Sequence, residues 1–551
     1  MDGAKIAKEF WLAGAENSST LVILTLTLNT TYKVPPNLEI TALIAPSPPA
    51  TKLQDNMDRN SEQLSVLATE ELFNLTFAEK NKIIEIDYVE ENIKIEKTVH
   101  LDKTELSALQ RHKQAVTDYV KLHLEAVPEF QDATLLPGHV NNLNPIEKIK
   151  LQLIWILVMK SLLDPCEEFE KFNYKQKLNY CKNLYKQLIP LLPRDNFDAE
   201  GEAKFKNDLE IQNYSLHPES LVENFFGCSS VEEVAKKMDS NPLSQEFYDQ
   251  FGCDDPDTLL LRFLRARKWN LIEALLMIVD TLYWHKSFGV GNILKQGESA
   301  VKEYLLTCGK HYAWKVDYKG RLVIWIRSKL HDKNKQTLHE NLVALVFLIE
   351  HARRLMAPGN ETVTLIFDLS DAPLASLDIP SIQGDIQVLQ NYYPECLGQC
   401  FIVDAPWIFH GIYRIVRGFL DPVVAAKIEL IKSSEIIKYV HPSMVPKRYA
   451  GGCDPIEFNH TIDPKNGETR INPDMDIDAL NNQIKKIRKE LIRMTLSQRP
   501  GEAFDPEGKR GSLRTDLKEI TAKWETGILP ENHYHRSGAL SRTGKVNWNI
   551  Q

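Results

Sequence analysis

Residues 394–452, PECLGQCFIVDAPWIFHGIYRIVRGFLDPVVAAKIELIKSSEIIKYVHPSMVPKRYAGG, constrain the fold more than any other stretch of the chain. CFIVD (400–404) is a short continuous apolar run closed by Ala405 and Pro406, the pattern of a strand covered on both faces. Pro406 suits the first turn of a helix, where its missing N–H costs nothing. Trp407, Ile408, Ile412, Ile415, Val416 and Phe419 then recur at helical spacing, with His410, Arg414 and Arg417 between them. The helix is expected over 406–419 and stops at Leu420-Asp421-Pro422, because proline disfavours helix in the residue before it. An aromatic, amphipathic helix covers apolar surface, and the local pattern leaves open whether that surface is permanent core or a removable ligand.

The chain has 551 residues, enough for two to four domains and a full hydrophobic core. With 43% hydrophobic and 26% charged residues it has a globular composition. A net charge of −9 argues against nucleic acid as a partner, which would require a dominant basic face. Eight scattered cysteines without a CxxC pair or zinc spacing point to reduced thiols in a reducing compartment. The longest apolar run, LQLIWILVM (151–159), is far short of the ~20 residues that span a bilayer, and MDGAKIAKEF at the start has no apolar core of a signal peptide.

In chain order, residues 1–135 read as a separate unit of unknown role. LVILTLTLN (21–29) alternates like a strand, LEITALIA (38–45) follows a Pro-Pro break, PSPPA (46–50) is a linker, and 105–127 has helical periodicity. Residues 136–290 read as a helical lobe, with Asn144 capping an apolar helix from Pro145, Asp257 capping a second helix, and a basic elbow at Arg265, Arg267 and Lys268. Over 291–455 strands and helices alternate: strand 322–327 after the turn DYKGR, helix 337–356, strand 362–370, helix 379–391, strand 400–404, helix 406–419 and strand 428–431. Such succession implies crossovers, a mainly parallel sheet and an α/β domain. Residues 456–551 read as a tail, with a basic amphipathic helix at 477–494, a short helix at 517–524 and an extended segment from Asn532 to Gln551.

Several chemistries fail on their own requirements. Gly289 and Gly291 lack a third glycine and follow a helix, so no dinucleotide cradle forms. No GxSxG elbow is present. Asp368 and Asp404 end strands, where they read as caps without a nucleophile or metal beside them, and His533 and His535 form an isolated HxH pair. Neither catalytic residues, a metal site nor a cofactor is expected.

FLRARKWN (263–270), NYYPECLG (391–398), DAPWIF (404–409), FLDPVVAAKI (419–428) and VPKRYAGG (445–452) occur in this order at compatible spacings. Together they resemble the CRAL-TRIO family of lipid-binding proteins, in particular its fungal phosphatidylinositol transfer (Sec-fourteen-like) members. The resemblance spans about residues 140–550 and is strongest over 255–453. It implies a helical lobe followed by an α/β lobe whose sheet floors a hydrophobic cavity closed by a gate helix, here carrying Trp407, Ile408, Phe409, Ile412, Ile415, Val416 and Phe419. It further implies that Arg267, Glu395 and Lys427 hold the headgroup of a bound phosphatidylinositol.

The implied function is a non-catalytic cytoplasmic lipid carrier that visits endoplasmic reticulum, Golgi or endosomal membranes. Its partners would be phospholipid, a transient membrane surface and a lipid kinase or other enzyme. A carrier or sensor of a sterol or squalene, and a non-transferring adaptor built on residues 1–135, are the alternatives. Two positions depart from the family pattern. Val424 replaces a hydroxyl residue at the headgroup, and Pro373 and Ala375 replace small hydroxyl residues of the phosphatidylcholine pocket, so a second ligand of that kind is not carried over to the nearby Ser370 and Ser376. KKIRKELIR (485–493) suits anionic headgroups or solvent equally.

Overall fold

The computed structural model describes residues 6–9, 20–28, 38–43, 93–100, 110, 114, 117 and 130–548, apart from 131, 194, 195, 199, 253, 374–377, 408, 450, 452–474, 506 and 507. The chain divides into two compact units, residues 1–111 with 507–512 and residues 112–506 with 513–551. In the first, β1 (Ile6–Glu9), β2 (Thr20–Leu28), β3 (Leu38–Leu43) and β4 (Ile93–His100) form a sheet in the order β1-β3-β2-β4. β2 and β3 are the two strands legible in the sequence. β4 alternates Ile93, Ile95 and Val99 with polar residues, a signal the sequence reading passed over. The linker at 46–50 and most of the helix expected over 105–127 lie outside the described residues.

The second unit opens with α1 (Pro145–Leu163), capped by Asn144 in a capping box with Glu147 and buried along nearly its whole length. Around it lie α2 (Tyr174–Leu188), α3 (Val231–Ser240), α4 (Pro242–Phe251), α5 (Pro256–Ala266), α6 (Leu271–Phe288) and α7 (Val290–Gln296). The cap of α5 is Asp255, not Asp257, because Pro256 occupies the first helical position and the cap precedes it. Asp257 is instead buried and accepts a hydrogen bond from Trp155 Nε1 at 2.7 Å.

The α/β part consists of β5 (His311–Val316), β6 (Leu322–Arg327), α8 (Leu338–Leu355), β7 (Val363–Asp368), α9 (Ile379–Tyr392), β8 (Leu397–Val403), α10 (Phe409–Arg417), α11 (Pro422–Ala425) and β9 (Ile428–Ile431). The sheet runs β5-β6-β7-β8-β9, with β5 antiparallel to β6 and the remaining pairs parallel. It is the mainly parallel α/β sheet expected, with β5 added. That strand forms a hairpin across the DYKGR turn, where Gly320 supplies the positive φ of +73°.

A sheet whose order follows the sequence, crossed with one hand, receives its crossover helices on a single face. The opposite face then needs another cover. Phe401 meets Tyr439 and Trp325 stacks on Tyr449, so residues 433–449 supply part of it. The C-terminal segment, expected to be extended, supplies more, with Trp548 buried edge-on against Trp314, and it also closes the free edge of β5, where the Tyr534 hydroxyl accepts from the Ala313 amide at 2.9 Å. Two aromatic anchors give that segment a packed rather than solvated course. The short helix expected at 517–524 belongs to a helix of 20 residues, Lys509–Ile528, and the basic helix extends over α12 (Ile477–Ser497). Arg488 of α12 lies 3.9 Å from the Tyr248 ring centroid and Arg493 is paired with Glu490 at 2.7 Å, so the KKIRKELIR cations are partly committed within the protein.

Candidate functional site

Register defines the floor of the site. Ile324, Leu365 and Cys400 are paired neighbours, as are Ile326, Phe367 and Ile402, while Cys400 and Ile402 pair with Ile428 and Leu430 of β9. Paired residues of parallel strands share a face, so these eight apolar side chains form one surface without a charge on it. Along β7, Thr364, Ile366 and Asp368 are buried on the opposite face, while Leu365 and Phe367 are only partly buried on this one. Phe409 and Tyr413 of α10, rings 5.9 Å apart, close onto this surface with Leu369, Cys400 and Ile402.

α10 begins later than the sequence pattern suggests. Asp404 takes a left-handed φ of +48°, and Phe409 N donates to Pro406 O at 2.8 Å, so the helix starts only at Phe409. The expected gate residues therefore do not share one environment. Phe409 is 4% exposed, Val416 and Phe419 are half-buried, Ile415 is 55% exposed and Trp407 is 83% exposed. Ile408 and the side chain of Ile412 lie outside the described residues. α10 thus presents apolar groups both to the sheet and to solvent.

Glu395 and Lys427 meet at the amino edge of the parallel strands, just before β8 and β9. Lys427 Nζ lies 3.9 Å from Glu395 Oε2 and donates to Leu397 O at 2.8 Å. Each side chain keeps about a quarter of its surface, 26% and 29%, open to solvent. Glu395 holds a φ of +57°, strain that the NYYPE segment over-determines. Tyr392 stacks on Trp284 at 4.0 Å, and the Tyr393 hydroxyl donates to Glu350 Oε1 at 3.0 Å. Burial, and then the Glu350 carboxylate, push that hydroxyl well above its ordinary pKa and keep it a donor.

The third expected residue stands apart from this pair. Arg267 is the C-cap of α5, and its guanidinium donates to the Ala266 carbonyl at 3.4 Å; among the described residues it makes no ion pair with Glu395. The neighbouring arginines of the elbow take the structural roles. Arg265 pairs with Glu361 at 2.8 Å and donates to Gly138 O at 3.0 Å, and buried Arg262 donates to Cys396 Sγ at 2.8 Å. Arg262, one residue before the motif, shares a helix face with Arg265 three positions on. Val424 is half-buried, and Ala375 and Ser376 lie outside the described residues.

Asp368 and Asp404 act as strand-end caps. Asp368 accepts from the Ser370 amide and from the Tyr449 hydroxyl, and Asp404 accepts from the Ser433 amide at 3.1 Å. Among the described residues no cluster of His, Cys, Asp and Glu could hold a metal, six cysteines are free, and no helix is long and apolar enough to cross a membrane.

Comparison with known proteins places these features. Residues 306–451 match the CRAL/TRIO domain and residues 228–280 match its N-terminal domain. A CRAL-TRIO domain-containing protein of Schizosaccharomyces pombe is 31% identical over 425 residues, covering 73% of this chain and 92% of its own. The phosphatidylinositol transfer protein CSR1 of Eremothecium gossypii is 30% identical over 362 residues, 63% of this chain and 83% of that protein. The Sec14 cytosolic factor of Schizosaccharomyces pombe is 28% identical over 214 residues, 36% of this chain and 75% of that protein. With its sheet, its α10 cover and its NYYPE segment in the matched region, the chain belongs to the CRAL/TRIO family.

Proposed function

We propose that this protein is a non-catalytic carrier that binds phosphatidylinositol between the apolar sheet face and α10, moving it between membranes or presenting it to a lipid kinase. The observation that carries this reading is the uncharged, partly buried sheet face of Leu365, Phe367, Cys400, Ile402 and Ile428 beneath an amphipathic helix, with Glu395 and Lys427 at its edge. Each buried CH₂ contributes roughly 0.8 kcal/mol, so one acyl chain supplies on the order of 10 kcal/mol. A lipid so held leaves only into another apolar phase, and exchange at a membrane needs an opening cover rather than a reacting group. Exposed Ile415 lies between Arg414 and Arg417 on the outer side of α10, and exposed Trp407 precedes the helix, a composition suited to an anionic bilayer surface.

At the edge of the face, the Lys427 ammonium suits a phosphodiester and the Glu395 carboxylate accepts from inositol hydroxyls. Arg267 is assigned to the same headgroup through its place in the FLRARK motif, as a cation half-buried at the end of α5. The similarity to the phosphatidylinositol transfer protein CSR1 supports this choice of lipid. The test is mass spectrometry of lipid that copurifies with the full chain, together with transfer of labelled phosphatidylinositol between vesicles. Copurification and transfer of phosphatidylinositol are expected. A sterol or squalene in the protein, with no phosphatidylinositol transfer, would replace the reading by a carrier of neutral lipid.

A further inference from the structure

We infer that Gln390 of α9 is the clasp that fixes the far hinge of α10 and so sets how readily the cover opens; the link to lipid exchange rests on the function proposed above. α10 cannot run on into α11, because Pro422 occupies the first position of α11 and lacks the N–H a continuous helix would need. Successive turns carry the chain from α10 as far as Leu420, whose N–H donates to Arg417 O at 3.3 Å, and the next amide, that of Asp421, takes its partner from outside. The Gln390 side-chain amide holds the break between the helices on both sides: Nε2 donates to Phe419 O at 2.9 Å, and Oε1 accepts from Asp421 N at 2.6 Å. The Asp421 side chain is already engaged in capping α11, where its carboxylate accepts from Val423 N at 2.8 Å. Protection of the Asp421 amide accordingly reports the clasp.

The near hinge is pinned in the same manner. Asp404 N donates to Ile431 O at 3.1 Å, and its carboxylate accepts from Ser433 N at 3.1 Å. Between the two hinges, among the described side chains, Phe409 and Tyr413 contact the sheet face, whereas Trp407, Arg414, Ile415 and Arg417 are exposed. A segment pinned at both ends opens as a strap when one end is released. Gln390 also lies on the helix that leads into Glu395, and Asp421 precedes Lys427 by one short helix. A headgroup that engages Glu395 and Lys427 thus pulls on the two elements the clasp joins.

Hydrogen–deuterium exchange of the full chain tests this with Gln390→Met, which keeps the side-chain length and removes both bonds. Exchange at the Asp421 amide is expected to accelerate about tenfold, with the α10 amides following and the thermal midpoint little changed. Release of a fluorescent phosphatidylinositol to acceptor vesicles should rise in parallel. Unchanged exchange at Asp421 and across α10 overturns the inference. Faster exchange when neither protein transfers lipid leaves the clasp standing and removes the transfer reading. Gln390→Glu retains the acceptor for Asp421 and sets a carboxylate against Phe419 O; it should open α10 to an intermediate degree, and exchange identical to wild type would also overturn the clasp.

Discussion

Replacing Lys427 by alanine separates a headgroup role of that lysine from a structural one. In the fold the ammonium makes one hydrogen bond, 2.8 Å to Leu397 O, and one loose ion pair, 3.9 Å to Glu395. A partly solvated pair of this kind contributes about 0–1 kcal/mol, and the carbonyl bond about 1 kcal/mol. The stability loss should therefore lower the melting temperature by only a few degrees, at about 2–4 °C per kcal/mol for a domain of this size. Against a phosphodiester, the same ammonium supplies a charged hydrogen bond worth about 1.5–3 kcal/mol, or roughly 10- to 150-fold in retention of phosphatidylinositol. Vesicle transfer of labelled phosphatidylinositol, run beside a neutral lipid of equal chain length, reads the difference. Lys427→Ala and Glu395→Ala should both lose phosphatidylinositol transfer selectively. Undiminished phosphatidylinositol transfer, or an equal loss for both lipids that tracks the melting temperature, would refute the headgroup role and leave the pair as a tie between β8 and β9.

Three further outcomes are expected. Burial pushes the Asp385 carboxyl up to about 7 from 3.8 despite its bond from Asn341; the folded state keeps a proton that the unfolded chain has shed, so stability falls as pH rises from about 4 to 7, by at most on the order of 4 kcal/mol. Asp385→Asn should flatten that slope in thermal melts from pH 5 to pH 8, and an unaltered slope would exclude Asp385 as its source. Phe409→Ala removes a buried anchor of α10, worth about 2–3 kcal/mol; trypsin should cut faster at Arg414 and Arg417 with little change in the global melting temperature, and unchanged cleavage would mean that α10 is held elsewhere. Trp548→Ala takes a fully buried indole from the sheet cover and should cost about 3–5 kcal/mol, read as a denaturation midpoint well below wild type; a neutral effect would show that the C-terminal segment is dispensable to the core.

Much of the fold was legible because its elements carry local signals. Alternation of strand and helix from 322 to 431 follows hydrophobic period alone, and the helix and strand limits there agree with the structure to within a few residues. Asn144 announced α1 through its capping chemistry. The hairpin strand β5 was missed although its turn was recognised, and α10 starts later than its period suggests, only at Phe409 beyond a left-handed Asp404. The site was legible in part. Glu395 and Lys427, 32 positions apart in the sequence, come together, but nothing in the FLRARK motif distinguishes Arg265, which ties the structure together, from Arg267, which does not.

The sequence by itself determined the order of the elements, the apolar character of the strands and the break at Pro422, since period, composition and proline geometry act over a few residues. Which face of the sheet lies under α10, which residues cover the other face, and that Gln390 grips both sides of the α10 hinge were decided only by tertiary structure. Register, crossover side and the partners of side-chain amides depend on groups distant in the chain, and no local period encodes them.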